Sequence, residues 1–534
     1  MISIREALYS ALRYHRAGTI FHLPGSALVP LYAGLDEFNT VLMRHPASVG
    51  FAADACARLT GLGVAMVAQG PGIAGIVPAL IHSWKDHVPV VIITARPGYM
   101  KGDPGAWQAF PVREVLGPVS KGFVEVSEGW PEESFRYAFD LAMTQPCGPV
   151  VIDVLWPSPD EAVPQASGPD ENAKMVEHLP ICPAAFLSNL RQAIEASSRP
   201  LILAGAGVLS EWDDLRTLVH DLNIPAVTTA PARGVLDEMD PMCLGPSGTI
   251  GSPSANDALC RADLILVLGS RMAANSIQPL ISSGLRPAIF QIAGDPADRS
   301  HVVDASSFCV CTAGSVIDGL MKSFLSPRSA WYHRLEATAP ITVPALAEAL
   351  KAVDDKSILI MDAGAIGLAT YRSFVARRPM HLLYQWGIAS MGTSLPAAVG
   401  ACFCGVNRAV VISGDGGLLA GCPEISTIAE NSLPVKVVAF NNGGLQFIRE
   451  IQQRELGREV DASFGPVDLA SVAESFGIRA ARVREGEDLT SEIRNALRDS
   501  EPMVLEVKQE ISPVDLKGTQ WDRKVRATPV RLKA

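Results

Sequence analysis

Two polar residues, Asp415 and Asn442, lie 27 positions apart (442 − 415), each just behind a short apolar run, in "RAVVISGDGG" and "VKVVAFNNGG". The pattern predicts a buried strand over 410–413, a helix over 422–431 and a second strand over 435–440. A right-handed crossover between parallel strands leaves both strand ends on one edge of the sheet, so Asp415 and Asn442 converge. A carboxylate and an amide oxygen are hard ligands of the kind Mg2+ takes, with phosphate oxygens and water in its remaining positions. Gly414, Gly416 and Gly417 let backbone N–H groups approach a phosphate beside the positive end of the following helix. The expected ligand is a diphosphate with its metal. Gly-Asp-Gly alone is a common turn, and it is the pairing with the second motif that gives it meaning.

Those two motifs need a sheet to hold them, and the chain supplies many strands of that kind. Apolar runs such as "GVAMVAQG", "VPVVIITA", "RPLILAGAG", "ADLILVLGS" and "SILIMDAG" alternate with helical patterns, the signature of parallel sheets covered on both faces. At 534 residues the chain exceeds a single core. The expected fold class is α/β, with three doubly wound parallel-sheet domains over 1–165, 183–328 and 340–534. The Pro-, Ser- and acid-rich stretch 156–174 reads as a linker, and 323–344 as a weaker boundary. A shared plan for the first and third domains is compatible with the pattern.

A net charge of −11 argues against nucleic acid or an anionic membrane as a main partner. The N-terminal residues carry scattered charges without a signal-peptide core, and no apolar run reaches the roughly 18 residues of a membrane span. A cytoplasmic protein is expected. Among the ten cysteines, the close pairs Cys309/Cys311 and Cys402/Cys404 have neither zinc-ribbon nor redox spacing and read as buried free thiols.

The Asp415–Asn442 pair, with "LPVKVVAFNN" leading into its second half, resembles the thiamin-diphosphate motif of the acetolactate synthase, pyruvate decarboxylase and benzoylformate decarboxylase superfamily. The likeness extends over nearly the whole chain. "IFHLPGSALVPLYAGL", "RHPASVGFAADACARLTG" and "AQGPGIAGIVPALIHSWKDHVPVVIITARP" look like its pyrimidine-binding domain, "RPLILAGAGVL" and "ADLILVLGSR" like its central domain, and "QWGIASMGTSLPAAVGA" like the start of its diphosphate domain. The resemblance implies thiamin diphosphate and Mg2+, with the metal on Asp415, Asn442 and the backbone carbonyl of Gly444. It also implies that Met391 bends the cofactor while the carbonyl of Ala389 accepts from the pyrimidine amino group. That bend would set the aminopyrimidine against the reactive carbon, so that the cofactor supplies its own base.

One family residue is missing. Relatives carry Glu directly after "RH", where it bonds a pyrimidine nitrogen; here that place is Pro46. Proline has no side-chain proton to exchange, and positioned proton transfer contributes about 10²–10⁴ in rate. Slower cofactor activation is expected, though glyoxylate carboligases of the same superfamily work with an apolar residue there. Ser26, Gln108 and Trp107 stand where relatives face the reacting carbon, with His22 and Gln69 as weaker polar candidates. Ile451 replaces the Trp usual in acetolactate synthases, so strict branched-chain amino-acid synthesis is not expected. The resemblance leaves room for FAD, but "GSRMAANS" replaces the flavin-contacting segment and "GAGVLS" lacks the third glycine of a dinucleotide fingerprint; FAD is not supported.

The implied activity forms or cleaves a carbon–carbon bond next to a carbonyl: decarboxylation of a 2-oxo acid with carboligation. Two other readings stay open, a 2-hydroxyacyl lyase that does not decarboxylate and a non-catalytic homologue that binds the cofactor. The superfamily's sites lie between chains, which implies a homodimer or homotetramer.

Overall fold

The computed structural model describes residues 3–97, 103, 105–109, 111–127, 131–156, 179–323, 325–335, 343–465, 467–483 and 489–509. The linker expected over 156–174 lies outside these residues from 157 onward, as does part of the boundary expected over 323–344.

Three six-stranded sheets are built, and every strand pair is parallel. The first contains β1 (Thr19–Leu23), β2 (Asn39–Leu42), β3 (Gly63–Val67), β4 (Val90–Pro97), β5 (Gly122–Val126) and β6 (Val150–Trp156). The second contains β7 (Pro200–Ala204), β8 (Ala226–Thr228), β9 (Cys243–Pro246), β10 (Leu264–Leu268), β11 (Ala288–Ala293) and β12 (Ser307–Val310). The third contains β13 (Ser357–Met361), β14 (Leu382–Leu383), β15 (Arg408–Gly414), β16 (Val435–Phe440), β17 (Arg479–Val483) and β18 (Met503–Val507). The strands are short, apolar runs, and β3, β7, β10, β13, β16 and β18 are buried at every position, as double-sided coverage by helices requires.

Counted within each sheet, the first and third share the order 2-1-3-4-6-5, whereas the second runs 3-2-1-4-5-6 when read from β9. The outer two sheets therefore have one plan. Their helices also share one core, which extends from Phe21 and Ala52 in the first sheet's layer to Leu395 and Val411 in the third's. The helices Pro46–Thr60 and Ser394–Phe403 meet so closely that a Cβ on Gly400 would sit 2.2 Å from the Ala52 carbonyl oxygen.

That contact overturns one expectation about the cysteines. Cys404, at the end of the second of these helices, is not a free thiol: it is joined by a disulfide to Cys56 on the first, with Cα atoms 5.9 Å apart. The partner lies 348 residues away in sequence, so only the helix packing brings it into view. Cys309 and Cys311 are free and buried, as expected, and Cys402 is free and half-buried. Among the described residues no helix is long and apolar enough to cross a membrane.

Candidate functional site

The third sheet presents three adjacent strand ends at its switch point, where order reverses and open α/β sheets bind ligands. Asp362 follows β13, Gly414 and Asp415 close β15, and Asn442 follows β16. The helix expected over 422–431 is present as Glu424–Glu430, and a further helix that was not expected, Asp415–Gly421, precedes it. Pro423 lacks an N–H and interrupts the ladder between them. Asp415 thus stands in the first turn of a helix, where a carboxylate is favoured.

Asp415 is buried and joins the two motifs directly. Its Oδ1 accepts from the Gly416 N–H at 2.8 Å, and its Oδ2 accepts from the N–H groups of Asn442 at 3.2 Å and Gly444 at 3.0 Å. Asn442 Nδ2 donates to Gln446 Oε1 at 2.7 Å. Its Oδ1 accepts from the Arg449 guanidinium at 2.8 Å, and its backbone carbonyl accepts from the same nitrogen at 3.0 Å. The Gly444 carbonyl accepts from the Gln446 N–H at 3.0 Å. The residues that carry a carboxylate, an amide oxygen and a backbone carbonyl are therefore tied to one another through the Asp415 carboxylate, and each of these oxygens has lone pairs to spare.

The donor set fits a hard cation beside a diphosphate. It is all oxygen, and a Cβ on Gly443 would meet nothing within 4 Å while one on Gly414 would meet only Ile366 at 3.8 Å. Gly416 and Gly417 have a different reason to be glycine: their Cβ positions fall 2.9 Å from Leu445 Cδ2 and 2.7 Å from Asp362 Cγ, so close packing excludes a side chain. Arg449 already places a cation on Asn442 Oδ1, and a metal taking that oxygen displaces it. Nothing in the motif spacing pointed to Arg449; its only signal was a basic residue on the helix behind the second motif.

Beside this edge runs the loop 387–393. Ala389 takes a left-handed backbone (φ 52°), and the Met391 side chain is 47% exposed, an apolar group held out from the core. Gly392, at φ +80°, abuts the helix Asp415–Gly421, where a Cβ would lie 2.8 Å from Ala420 Cβ. Asp362 ties the loop down: it accepts from Ala363 N at 2.8 Å, Gly392 N at 3.0 Å, Ser394 N at 3.2 Å and Ser394 Oγ at 2.6 Å. Complete burial pushes its carboxyl above the usual range, and these donors act against that rise.

The first domain grips the same loop within one chain. His82 Nδ1 lies 3.4 Å from Ile388 N, and Nε2 lies 3.3 Å from Ser390 Oγ, flanking Ala389 on both sides. Burial holds the imidazole below its ordinary pKa; Nδ1 faces the Ile388 N–H, and Nε2 faces both the Ser390 N–H, at 3.4 Å, and the Ser390 hydroxyl, so the ring's tautomer decides which of these contacts it completes. Asp86 accepts from Gly387 N at 3.1 Å, Asp54 accepts from Gln385 Nε2 at 3.1 Å, and Arg58 bridges Asp86 and Asp54, each at 2.7 Å. Sequence reading missed His82, Asp54, Arg58 and Asp86, which act on the third domain through tertiary contacts, and Asp362, which acts within it.

The first sheet's own edge gathers the remaining candidates. Pro46 is the first helical residue after the His45 cap, and a Cβ on Gly75 of the next helix would lie 3.0 Å from its ring. Arg44 fixes this turn on the third domain: its N–H donates to Glu424 at 3.0 Å, its Nε to Ser426 Oγ at 3.0 Å, and its guanidinium pairs with Glu430. Ser26 is exposed and opens a short 3-10 turn after β1. The strand-end loops touch at Gly25, whose Cβ would collide with Ala68, and at Gly70, whose Cβ would lie 3.1 Å from Gln108 Cβ. Trp107 is 80% exposed. His22 is spent on Tyr32, at 2.9 Å, and Gln69 is buried. Among the described residues no hydrogen bond joins Ser26 or Gln108 to the loop of Met391 or to Asp415.

Three α/β sheets, two of one plan, with a glycine-flanked carboxylate–amide pair at a switch point, define a class of cofactor-binding enzymes. Three family models match the chain in order: the N-terminal TPP binding domain of thiamine pyrophosphate enzymes over residues 2–111, their central domain over 187–320, and their C-terminal TPP binding domain over 362–507. The chain belongs to the superfamily of thiamine pyrophosphate enzymes. It is 29% identical to the "Probable acetolactate synthase large subunit" of Methanocaldococcus jannaschii, over 94% of this chain and 91% of that one. It is 27% identical to the acetolactate synthase isozyme 1 large subunit of Escherichia coli, over 91% and 90%. In fold it resembles the crystal structure of benzoylformate decarboxylase from Polynucleobacter necessarius, with a TM-score of 0.81 at 20% identity, covering 96% of this chain and all of that one.

Proposed function

We propose that this protein is a thiamin-diphosphate- and Mg2+-dependent enzyme that decarboxylates a small 2-oxo acid and transfers the acyl unit to an acceptor, forming a carbon–carbon bond. The observation that carries the reading is that the Asp415 carboxylate accepts from the backbone N–H groups of both Asn442 and Gly444, which ties the two motifs together at one sheet edge. Asp415 Oδ, Asn442 Oδ1 and the Gly444 carbonyl would hold the metal, with the start of the helix Asp415–Gly421 beside the diphosphate. The Ala389 carbonyl orients the pyrimidine and Met391 enforces the bend. When bound, the cofactor would supply a nucleophilic carbon and an electron sink for the bond next to the substrate carbonyl.

Pro46 gives this site an apolar wall where a proton-exchanging carboxylate would otherwise stand. Ser26 and Gln108 present a hydroxyl and an amide to the substrate's carboxylate and carbonyl, with Trp107 as a cover. By the organisation typical of its relatives, the working site is proposed to form between chains, in a homodimer or homotetramer.

The test is hydrogen–deuterium exchange at the reactive carbon of enzyme-bound cofactor, with carbon dioxide release measured on pyruvate and glyoxylate. Exchange faster than in free cofactor, with carbon dioxide and a ligated product, is the expected result. Cleavage of 2-hydroxyacyl substrates without carbon dioxide would replace decarboxylation by the lyase reading. Exchange no faster than free cofactor with every substrate would overturn catalysis.

A further inference from the structure

Cys182, Cys309 and Cys311 meet in the second domain, on a different sheet from Asp415. Cys309 lies in the edge strand β12 and Cys311 two residues on, a spacing that turns both side chains to one side. Cys182 arrives from the segment leading into the helix Ala184–Ala196, anchored by its N–H donating to Ser315 Oγ at 3.1 Å. The three sulfurs all lie within 4.8 Å of one another. We propose that these thiols form a binding site for a thiophilic d10 cation, Zn2+ or Cu+, that clamps the start of the central domain to its edge strand.

Zinc–sulfur bonds of about 2.3 Å place tetrahedral sulfurs about 3.8 Å apart, so the thiols need close by no more than about 1 Å. Side-chain rotation of the half-buried Cys182 can supply that. Cys309 and Cys311 are 7% and 1% exposed, which leaves the Cys182 side as the route for an entering ion and for a water in a fourth position. Three thiolates leave a net charge of −1 around Zn2+ and −2 around Cu+; the lower buried charge favours Zn2+. Burial raises the Cys182 and Cys311 thiols, and the neighbouring thiols raise Cys311 further. Binding as thiolates therefore releases protons from Cys182 and Cys311.

The experiment uses the full chain, oxygen-free and reduced, with thiamin diphosphate and excess Mg2+ to saturate the Asp415 site. Zn2+ and Cu+ are titrated in separate arms, and Co2+ serves as a spectroscopic probe. The expected result is one retained ion per chain, sulfur-to-cobalt charge-transfer absorption, and a melting temperature raised by the ion in the wild type but not in C309S/C311S. C182S, which leaves the buried pair intact, should weaken affinity by more than the about 10–100-fold typical of outer-shell changes. Retention in the Zn2+ arm alone, or in the Cu+ arm alone, identifies the cation. No retained ion in either arm, or equal affinity in wild type and C182S, overturns the site. Neither outcome bears on cofactor binding at Asp415.

Discussion

Removing the Asp362 carboxylate should loosen the loop of Met391 without unfolding the sheet beneath it. Asp362→Ala leaves the buried N–H groups of Gly392 and Ser394 without their acceptor, while Ser394 Oγ can turn elsewhere. An unsatisfied buried donor costs about 1–3 kcal/mol, so two give about 2–6 kcal/mol, and relief of a buried charge offsets part of this; about 3 kcal/mol is the working figure. Asp362→Asn keeps one acceptor oxygen and should lose about half as much. Three domains do not unfold as one unit, so the assay is local: amide hydrogen exchange of peptides spanning 387–396. A loss of about 3 kcal/mol speeds exchange there by about 10²-fold, while β13 and β15 keep their protection. Thiamin diphosphate affinity should fall in the same order, Ala below Asn below wild type. Wild-type protection of 387–396 in Asp362→Ala, with unchanged cofactor affinity, would refute the claim that this carboxylate positions the loop.

Other perturbations separate the remaining parts. Asp415→Ala should abolish Mg2+-dependent cofactor binding in calorimetry, and an unchanged affinity would remove the metal assignment. Pro46→Glu should speed exchange at the cofactor's reactive carbon, by up to the about 10²–10⁴ of positioned proton transfer; an unchanged rate would mean that position 46 does not face the pyrimidine. Burial pushes the Asp153 carboxyl up to about 6, against the pull of Arg96 at 2.8 Å. The folded state then binds its proton more tightly than the unfolded chain, so Asp153 withdraws stability as pH rises from about 4 to about 6, by at most about 3 kcal/mol, and no more above that. Asp153→Asn should lack this slope, and parallel pH–stability curves for the two proteins would contradict it. Reduction of Cys56–Cys404, or Cys56→Ser, should cost about 2–4 kcal/mol of stability; equal melting with and without reductant would mean that the bond does not form in solution.

Much of this site is written locally, which is why a reading of the chain reaches it. Asp415 and Asn442 each end an apolar strand, and the handedness of the crossover then fixes their meeting without further information. The class of fold is legible for the same reason, since strand and helix periods alternate over the whole length. The support around the site is not written that way. Asp362 looks like any residue after a strand until Gly392 and Ser394 fold back onto it, and His82 reads as part of an apolar helix until Ile388 and Ser390 are seen against its ring. The helix starting at Asp415 was hidden because three glycines weaken its propensity, and packing against Asp362 and Leu445 outweighs that loss.

The proline at 46 is not required by the backbone around it. The position is the first residue of a helix, whose N–H has no partner within the helix, so proline is tolerated there and adds a preset φ. A glutamate would suit the same place, because a carboxylate is favoured in the first turn, and Gly75 leaves room for a Cβ from the opposite helix. The turn is held by Arg44 on Glu424, Ser426 and Glu430, contacts that do not involve the side chain at 46. Since the fold accepts either residue, the choice between them falls on chemistry. A carboxylate favours proton exchange with the cofactor, whereas an apolar wall favours steps in which charge is being lost, such as the release of carbon dioxide. On the proposed reaction, Pro46→Glu should therefore accelerate the first process and slow the second, and a variant faster in both would show that the proline serves neither.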